Sequence, residues 1–350
     1  MKACYVTSLD APAWIDNMAV GELPEPELIP GICRIRVTRS SLNHHDIWTL
    51  RGVSSQPIIP PQILGCDAVG IIEGYGEGAI EPYPVGTRVV VFSGRSCEKC
   101  EACRFGTPEH CKMVGMLSET PHQGAFAEIL DVPTSTLIPL PDSVSDDMAA
   151  CLPTAYLTAY RMLFERAAVH PGMSVLVQGA TGGVASAAIL LAKSAGATVV
   201  ATSRTDEGRA FASELGADTV APAEKGELPR ALASVGCSDG VDVVIETVGE
   251  ATWDFSLRSV RPGGTVVVAG ATAGGNPPSR LNRVFWFQLS IHGSTGGTPH
   301  GLARLVHLVA RGGLSPRIDS VIALQDIRSG FERLGRGDQR GKIVVAIGAS

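Results

Sequence analysis

The spacing of apolar residues separates the chain into two kinds of region. Over residues 1–95, short apolar runs broken by Pro and Gly predict strands joined by tight turns. From residue 174 onward, apolar runs of strand length alternate with segments in which Ala, Leu and Ile recur at helical spacing. The tail, 298–350, mixes both patterns and is predicted to return to the first domain rather than form a third.

The clearest pattern lies between residues 174 and 204. An apolar run at 174–178 leads into a glycine-rich turn, a helical pattern follows over 184–194, and a second apolar run occupies 197–202. This βαβ order favours a phosphate-binding turn over an ordinary tight turn, because glycines let the backbone approach a pyrophosphate and the helix N-terminus attracts its charge. The predicted nucleotide contacts are Gly179, Ala180, Thr181, Gly182, Gly183 and Val184.

The end of the second strand in this unit predicts which nucleotide is bound. Enzymes that prefer NAD usually carry an acidic residue there, which binds both ribose hydroxyls. This chain has Thr202, Ser203 and Arg204, and its first acid is Asp206. Ser203 and Arg204 can bind a 2′-phosphate that a carboxylate would repel, so the sequence favours NADP(H). The alternative is that Arg204 is only a solvated loop charge.

Composition excludes several classes of protein. Hydrophobic residues make up 45% of the 350 residues and charged residues 18%, which excludes a disordered chain. The net charge is −6 and no basic stripe occurs, so a nucleic-acid partner is not expected. No apolar run is long enough to span a membrane, and the first residues lack the architecture of a signal peptide. We therefore expect a cytoplasmic protein that acts on a small molecule.

Closely spaced cysteines give the most specific motif in the sequence. Cys97, Cys100, Cys103 and Cys111 form the pattern C-x2-C-x2-C-x7-C. Four thiolates satisfy tetrahedral Zn²⁺ and leave no open position, so the site is predicted to be structural, clamping a lobe with little core of its own. Free or disulfide-bonded thiols are the alternative, although disulfides are uncommon in a cytosolic chain.

Three polar segments are candidates for the chemistry. The motif SLNHHDIW follows a predicted strand, the motif GCD precedes another, and a helix predicted over 143–163 carries two threonines four residues apart on one face. For the first motif, a loop with one hydrogen-bonded histidine is the simpler alternative. The polar and aromatic residues of these segments are Asn43, His44, His45, Asp46, Trp48, Cys66, Asp67, Thr154 and Thr158.

The ends of the later strands complete the predicted crevice. Apolar runs at 241–246, 264–269 and 289–293 are each followed by small or hydroxyl-bearing residues. In an open parallel sheet the carboxyl ends of the strands line the ligand crevice. The residues predicted there are Thr247, Val248, Gly249, Gly270, Ala271, Thr272, Ser294 and Thr295.

Together these parts resemble the medium-chain dehydrogenase/reductase superfamily, which includes zinc alcohol dehydrogenases and quinone reductases. The motifs that carry the resemblance are the tetracysteine lobe, VLVQGATGGVASAA, ETVG and RPGGTVVVAG. The resemblance implies an α/β protein with a GroES-like, β-barrel-type catalytic domain (1–153 and 298–350, zinc lobe about 95–113) and a Rossmann domain with a doubly wound parallel sheet (154–297). It also implies a homodimer or homotetramer in which the strand near 290–293 pairs across subunits.

The same resemblance implies that the catalytic zinc ligands of alcohol dehydrogenases are missing. Those enzymes place a cysteine at the position matching Asn43, a histidine and a glutamate at the positions matching Cys66 and Asp67, and a further cysteine near Thr154. Asn and Thr are poor zinc ligands, and an open zinc site needs three good ones. A rebuilt site, using Cys66, Asp67 and one histidine of the SLNHHDIW motif, is the alternative.

The SLNHHDIW and LGCDAVG motifs are instead similar to zinc-independent reductases of the superfamily. Those enzymes use NADPH to deliver a hydride to a double bond that a conjugated carbonyl already polarises. The resemblance implies that Asn43 donates to the enolate oxygen, His45 relays a proton, Asp46 fixes a histidine tautomer and Trp48 walls the pocket. The predicted catalytic set also includes Cys66, Asp67 and Thr154, and the predicted cofactor set also includes Thr158 and Lys342.

The sequence therefore predicts an NADPH-dependent oxidoreductase with one structural zinc per subunit and no catalytic zinc. Its substrate is predicted to be an activated double bond in an enone, quinone, enoyl thioester or iminium. A zinc-dependent alcohol dehydrogenase or carbonyl reductase with a rebuilt metal site is the first alternative. A non-catalytic NADPH-binding protein is the second, because a nucleotide fold does not by itself establish catalysis.

Overall fold

The computed structural model of the protein describes residues 1–54, 56–222 and 226–348. The chain divides into two compact units, one formed by Met1–Leu157 with Gly297–Ser350 and the other by Thr158–Gly296. This division lies close to the boundaries expected from the sequence, although Thr154 falls in the first unit rather than the second.

The strands are numbered in chain order. They are β1 (Lys2–Val6), β2 (Met18–Glu22), β3 (Ile32–Ser41), β4 (Gln62–Ile63), β5 (Ala68–Tyr75), β6 (Arg88–Val91), β7 (Gly94–Arg95), β8 (Gly115–Met116), β9 (Ile129–Pro133), β10 (Leu137–Pro139), β11 (Ser174–Val177), β12 (Thr198–Ser203), β13 (Thr219–Pro222), β14 (Val241–Glu246), β15 (Val260–Val268), β16 (Ser290–Gly293), β17 (Ile318–Ala323) and β18 (Lys342–Ala346).

The helices are numbered in the same way. They are α1 (His44–Leu50), α2 (Glu101–Arg104), α3 (Asp146–Ala150), α4 (Leu157–Tyr160), α5 (Gly183–Ser194), α6 (Asp206–Glu214), α7 (Leu228–Ser234), α8 (Trp253–Ser259), α9 (Leu281–Trp286), α10 (Pro299–Ala310) and α11 (Ile327–Arg336).

The first unit is built on a sheet with the strand order β10-β6-β5-β3-β18-β17, and β9 also pairs with β3. Alternate residues of β3 are apolar, and Cys33, Ile35 and Val37 turn into a core with Ala68 and Ile72 of β5. The β18 strand from the end of the chain pairs antiparallel with β3. The tail therefore completes the sheet that the first residues begin, and β1, β2 and β4 form a smaller sheet in the same unit.

The second unit is a single parallel sheet with the order β13-β12-β11-β14-β15-β16. The order reverses at β11, which lies between β12 and β14, as expected for a doubly wound Rossmann sheet. The central strands are apolar along nearly their whole length and are buried, because helices cover both faces of such a sheet. The predicted α/β fold, GroES-like unit and Rossmann unit are confirmed.

The helix predicted over 143–163 is not a continuous α-helix, so this prediction was wrong. After α3 the backbone widens into a π-helical turn at Leu152–Tyr156, passes through α4 and widens again at Arg161–Arg166. Pro153 lies in the first wide turn. Proline has no N–H, and its ring collides with the carbonyl one turn earlier, so a regular α-helix does not pass through this position.

The SLNHHDIW motif forms a helix rather than the loop considered from the sequence. Asn43 is the N-cap of α1, with φ −133° and ψ 157°, and the Asp46 side chain accepts a hydrogen bond from the Asn43 N–H. Ile47 and Leu50, three residues apart, are buried in the core of the first unit. The N-cap residue followed three positions later by an acid was the sequence signal for this helix start.

None of the helices in the described residues has the length and apolar composition needed to cross a membrane. The helices α5 and α10 span 12 residues each. A membrane-spanning helix requires about 20 residues.

Candidate active site

Four sulfur atoms converge in the lobe between β7 and β8. The Sγ atoms of Cys97, Cys100, Cys103 and Cys111 all lie within 4.8 Å of one another, and two of the pairs are 3.5 Å apart. In a tetrahedral zinc site with Zn–S bonds of about 2.3 Å, the sulfurs lie roughly 3.8 Å apart. The four cysteines therefore fit a structural zinc ion.

Backbone N–H groups of the lobe stabilise the thiolate form of Cys97. Those of Lys99 and Cys100 lower the pKa of the Cys97 thiol to about 6. The N–H of Met113 donates to Cys111 Sγ over 3.3 Å. The short α2 helix of the lobe buries none of its residues. Since packing contributes little here, a bound zinc would supply most of the stability of the lobe.

A buried polar cluster lies in the first unit, where β3, α1 and β18 meet. Lys342 Nζ donates to Asn43 Oδ1 over 2.7 Å and to the Leu42 carbonyl over 2.8 Å, and it lies 3.4 Å from Asp67 Oδ2. The same carboxylate oxygen accepts from Asn43 Nδ2 over 2.8 Å and from Ser41 Oγ over 2.5 Å. The side chains of Lys342 and Asp67 are 2% and 0% exposed, so each charge needs the other. We call Ser41, Asn43, Asp67 and Lys342 the Lys342 cluster.

The Lys342 cluster fixes the orientation of the Asn43 amide. Because an ammonium group only donates and a carboxylate only accepts, the amide oxygen faces Lys342 and the amide nitrogen faces Asp67. Asn43 Nδ2 also lies 3.2 Å from the Ser41 carbonyl and 3.4 Å from Cys66 Sγ. Both N–H groups of this amide therefore have acceptors inside the protein, whereas Asp67 Oδ1 is buried without a hydrogen-bond partner among the described residues.

His45 and Asp46 are neighbours on α1 with opposite pKa shifts. Burial lowers the pKa of His45 to about 4, against the opposing effect of the Asp67 carboxylate, and no described residue hydrogen-bonds its buried Nε2. Burial raises the pKa of Asp46 to about 7, although backbone hydrogen bonds from Asn43 and Gly65 oppose this shift. His45 is therefore neutral near pH 7, and Asp46 lies near the midpoint of its titration.

Asp46 joins α1 to the loop before β5. Its Oδ2 accepts from the Asn43 N–H over 2.9 Å and its Oδ1 from the Gly65 N–H over 3.0 Å. Gly65 has φ +96°, and a Cβ at this position would lie 2.8 Å from the Phe126 ring, so the loop requires glycine. Asp46 thus orders backbone, and the expected role of fixing a histidine tautomer is corrected.

Cys66 and Thr154 meet as the resemblance implied, with Sγ and Oγ1 3.4 Å apart. Burial raises the pKa of the Cys66 thiol well above its usual value, and Asp46 and Asp67 raise it further. Cys151, one turn before Thr154, directs its thiol to the Asp147 carbonyl over 3.3 Å and so does not replace a ligand. Trp48 is half-buried on α1.

These groups do not fit the rebuilt zinc site considered from the sequence. Among the described residues, only the cysteines of the zinc lobe bring three or more Cys, His, Asp or Glu ligand atoms within 4.8 Å of one another. Cys66, Asp67 and the histidines of α1 do not form such a group. The ammonium group of Lys342 also lies beside Asp67, where it opposes the approach of a second cation.

The predicted nucleotide contacts of the second unit gather at the carboxyl edge of its sheet. Gly179 turns the chain away from β11 with φ +69°, and the Ala180 N–H donates to the Thr202 carbonyl over 2.9 Å. Gly182 is the N-cap of α5 and has no side chain to bind the first N–H groups of the helix. Those groups have no partners within a helix, so they fit a phosphate.

Ser203 and Arg204 end β12 at this edge, as predicted. Ser203 is 6% exposed, whereas Arg204 is exposed, and no ion pair to another described residue holds it. Arg209 in the first turn of α6 was missed from the sequence. Its Nη1 lies 3.5 Å from the Ser203 carbonyl, and its other nitrogen pairs with Asp206. Two arginines therefore lie near the end of β12; Arg209 is paired with Asp206, and Arg204 supplies the positive charge that favours an anion.

The remaining predicted crevice residues follow β14, β15 and β16. Thr272 Oγ1 donates to the Thr247 carbonyl over 3.3 Å, so two of these turns touch. The Ser294 N–H donates to the Val268 carbonyl over 2.8 Å and extends the edge of the sheet. The residues that the parallel strands bring to this edge are Thr247, Val248, Gly249, Gly270, Ala271, Thr272, Ser294 and Thr295.

Two further predicted cofactor residues are not in the turns that follow these strands. Lys342 belongs to the first unit, and its ammonium group is bonded within the Lys342 cluster rather than exposed for a nucleotide. Lys342 directly precedes the apolar run of β18, and this position in the sequence indicated that its side chain would be buried. Thr158 lies in α4, is 8% exposed and begins the second unit.

Two family models match the chain. The alcohol dehydrogenase GroES-like domain matches residues 30–142, and the zinc-binding dehydrogenase model matches residues 183–311. An acryloyl-coenzyme A reductase from Metallosphaera sedula is 30% identical over 93% of this chain and 95% of its own length. This chain belongs to the zinc-type alcohol dehydrogenase-like branch of the medium-chain dehydrogenase/reductase superfamily. The predicted resemblance is thereby confirmed.

Other members of the family with similar sequences differ in activity. An L-threonine 3-dehydrogenase from Rhizobium rhizogenes is 30% identical over 99% of this chain and 98% of its own length. A solved NAD-dependent alcohol dehydrogenase has a TM-score of 0.92 and 32% identity, and it covers 99% of this chain and 100% of its own. Membership therefore establishes an oxidoreductase fold, while the choice of substrate and nucleotide depends on individual residues.

The neutral, buried His45 predicts a pH dependence of stability. Its pKa is about 4 in the folded protein and 6.5 when exposed, so the unfolded chain binds the additional proton between these values. His45 therefore contributes a loss of up to about 1.4 kcal/mol of folding stability per pH unit as the pH falls from 6.5 towards 4. Asp46 titrates in the opposite sense over this range, so the contribution is measured as the difference between the wild type and a His45 variant. His45→Gln removes this titration, so its free energy of unfolding, measured by urea denaturation, should fall less over the same range.

The matched control is His170→Gln, because His170 is an exposed histidine. This variant should keep the pH dependence of the wild type. If the free energy of unfolding depended on pH equally in the wild type and in His45→Gln, the assignment of a neutral imidazole at His45 would be contradicted.

Proposed function

We propose that this protein is an NADPH-dependent reductase of activated double bonds, with enoyl thioesters as the preferred class. The observation that carries the proposal is the Lys342 cluster. Asn43 and Asp67, which the resemblance matches to zinc ligands of alcohol dehydrogenases, contact a buried ammonium group. The similarity to acryloyl-coenzyme A reductase supports the choice of an enoyl thioester over the other acceptors.

An enoyl thioester suits a site with this chemistry. Its conjugated carbonyl already polarises the double bond, so the acceptor needs no metal, and NADPH supplies the hydride when bound. The protein has to orient the substrate and stabilise the negative charge that develops on the carbonyl oxygen. Asn43 does not supply this stabilisation in the arrangement seen, because its oxygen accepts from Lys342 and its N–H groups donate to Asp67 and the Ser41 carbonyl.

The acid–base groups of α1 also suit the reduction of a carbon–carbon double bond. His45 is neutral near pH 7, so it is a weak proton donor there. Asp46 has its pKa raised to about 7, close to the value that suits proton transfer at neutral pH, but both of its oxygens bind backbone N–H groups. We therefore propose that solvent delivers the proton to the carbanion that forms after hydride transfer, and that His45 orients the substrate through its ring N–H.

Alcohol oxidation is the second candidate function. The similarity to L-threonine 3-dehydrogenase, at the same sequence identity, supports it. That function would require a second zinc ion at Cys66 and Asp67, displacement of Lys342 from Asp67 and movement of a histidine towards both residues. Because Lys342 is packed against Asp67 in the Lys342 cluster, alcohol oxidation is the less favoured of the two candidate functions.

The substrate proposal predicts the outcome of an absorbance assay at the nicotinamide band. Purified protein should oxidise NADPH in the presence of acryloyl-CoA or crotonyl-CoA. It should reduce NADP⁺ or NAD⁺ with L-threonine or simple alcohols at least about a hundredfold more slowly. Faster turnover of the alcohols would reverse the order of the two candidate functions.

Metal content separates the same two candidates without relying on activity. The wild type should contain about one zinc ion per chain, held by the cysteine lobe. Cys103→Ser should lose this ion, because it removes one of the four sulfurs. Cys66→Ala should keep the zinc content of the wild type. A second zinc ion that disappears in Cys66→Ala would establish the rebuilt site and exclude the metal-free mechanism.

The preference for NADPH is proposed from the end of β12. Ser203 and the exposed Arg204 are the residues proposed to bind the 2′-phosphate of the adenosine ribose, and Arg209 lies beside the Ser203 carbonyl. No acid in this segment precedes Asp206, which is already paired with Arg209. A phosphate at this position would therefore meet donors and positive charge.

Arg204→Ala tests this preference. Loss of one arginine–phosphate contact should raise the Kd for NADPH by about tenfold to a hundredfold and leave the Kd for NADH within about twofold. Titration of the nucleotide fluorescence measures both constants. Arg230→Ala is the matched control, because Arg230 is exposed on α7 and its loss changes the net charge equally. If Arg204→Ala raised the Kd values for NADPH and NADH by the same factor, the proposal would be contradicted.

We also propose that two copies of the chain join through the free edge of the parallel sheet. The β16 strand is the last in the sheet order, and Leu281, Phe285 and Trp286 of α9 are 68%, 68% and 77% exposed nearby in the sequence. An unpaired strand edge beside exposed apolar side chains favours association with a second copy.

The mass in solution tests this arrangement. Sedimentation should give about twice the chain mass of 36.5 kDa, or four times if dimers pair. Trp286→Asp should shift the distribution towards the monomer, because it places a charge in the apolar patch. Ile80→Asp, at an equally exposed apolar residue of the first unit, should leave the mass unchanged. A monomeric wild type would exclude the proposal.

A further inference from the structure

Four buried polar side chains form a continuous hydrogen-bonded chain across the sheet of the second unit. Thr202 Oγ1 donates to Gln178 Oε1 over 2.7 Å, and Gln178 Nε2 donates to Ser256 Oγ over 3.1 Å. Ser256 Oγ donates to Glu246 Oε2 over 2.5 Å. All four are at most 1% exposed, and they connect β12, the end of β11, α8 and the end of β14. We call Thr202, Gln178, Ser256 and Glu246 the Thr202 relay.

The Glu246 carboxylate sets the direction of every bond in the relay. A carboxylate has only acceptor atoms, so the Ser256 hydroxyl must donate to it and offers its lone pair to Gln178. The Gln178 amide then presents its nitrogen to Ser256 and its oxygen to Thr202. The Thr202 hydroxyl therefore donates to Gln178, and its lone pair remains for the Gly179 N–H, which lies 3.3 Å away.

One end of the relay holds the glycine-rich turn. The Gly179 N–H points inward to Thr202 Oγ1, and the Ala180 N–H points inward to the Thr202 carbonyl. These two bonds fix the turn at Gly179, where φ is +69°. The amide groups of the first turn of α5 stay directed outward, in the position that a phosphate needs.

The other end of the relay holds the turn after β14. Glu246 Oε1 accepts from the Val248 N–H over 2.7 Å and from the Gly249 N–H over 3.0 Å. The Thr252 hydroxyl also donates to this carboxylate, which ties the turn to the start of α8. One buried carboxylate thus orders the turn after β14 directly and the turn after β11 through three side chains.

We infer that Thr202, Gln178, Ser256 and Glu246 are positioning residues for a bound dinucleotide, acting by holding the turns after β11 and β14 in a fixed relation. This inference rests on the proposed binding of a nucleotide at this edge of the sheet. The Thr202 relay would therefore affect the affinity for NADPH and for NADH equally, because it acts on the part of the dinucleotide that both share. Arg204, by contrast, controls the choice between the two nucleotides.

The test compares Thr202→Val, which removes the hydroxyl at nearly constant shape, with Thr202→Ser, which keeps the hydroxyl. Thr202→Val should raise the Kd for NADPH and for NADH by about tenfold each, because the Gly179 turn loses its buried acceptor. Thr202→Ser should restore both constants to within about twofold of the wild type. Fluorescence titration gives the constants, and thermal unfolding gives the stability of each variant.

The matched control lies in β11, at the end opposite to the glycine-rich turn. Ser174 begins β11, is 8% exposed and donates to Asp242 Oδ2 over 2.7 Å. Ser174→Ala also breaks a buried hydrogen bond between neighbouring strands, so it should lower the unfolding temperature as Thr202→Val does. It should leave both Kd values unchanged, because it lies far along the strand from the turns.

A second variant keeps the inference testable if Thr202→Val does not fold. Ser256→Ala interrupts the relay at a position in α8 and should also weaken the binding of both NADPH and NADH. If both variants fold, the double variant should bind nucleotide no more weakly than either single variant, because one break already disconnects the relay.

The inference is overturned if relay variants lose stability while both Kd values stay at the wild-type level, or if Thr202→Ser fails to restore binding. Failure of the wild type itself to bind either nucleotide would instead remove the proposed function. The two failures are therefore distinguishable from the same titrations.

Discussion

The buried contact between Lys342 and Asp67, bridged by the Asn43 amide, is the interaction on which the site of the first unit depends. Asn43 and Asp67 come from the beginning of the chain, and Lys342 comes from its last strand. A buried ammonium group without these partners would destabilise the fold by several kcal/mol. Pairing of β18 with β3 therefore does two things at once: it completes the sheet and it brings in the charge that the polar residues around Asn43 require.

This charge also constrains the chemistry. The Asn43 oxygen faces Lys342 and its N–H groups face Asp67 and the Ser41 carbonyl, so the amide is occupied in holding a lysine charge and is not available to bind a metal ion. Burial lowers the pKa of His45, so this imidazole is uncharged near neutral pH. These features agree with an acceptor that carries its own polarising carbonyl, which is why the proposal favours enoyl thioesters over alcohols.

The sequence was informative where function depends on neighbouring residues and uninformative where it depends on distant ones. The cysteine lobe, the glycine-rich turn and the Ser203–Arg204 pair are local patterns, and the structure places each where it was expected. Lys342 was assigned to the nucleotide because nothing in its neighbourhood reveals a partner at Asn43. Arg209 and Gln178 were missed for the same reason, since a helical turn and two neighbouring strands bring them to their contacts. Pro153 was visible in the sequence, but whether it would end or widen the helix depended on packing.

Each of the two units contains a buried amide side chain whose orientation is set by a carboxylate. An amide side chain has a donor end and an acceptor end of almost equal shape, so its orientation is set only by neighbours of fixed polarity. In the first unit a carboxylate and an ammonium group, Asp67 and Lys342, orient Asn43. In the second unit the Glu246 carboxylate orients Gln178 through the Ser256 hydroxyl. Because a carboxylate cannot donate in its ionised form, reversing either amide would bring like ends together and leave a buried group unpaired. The buried carboxylates, although they lie behind the residues expected to contact ligands, therefore determine which hydrogen bonds those residues can make.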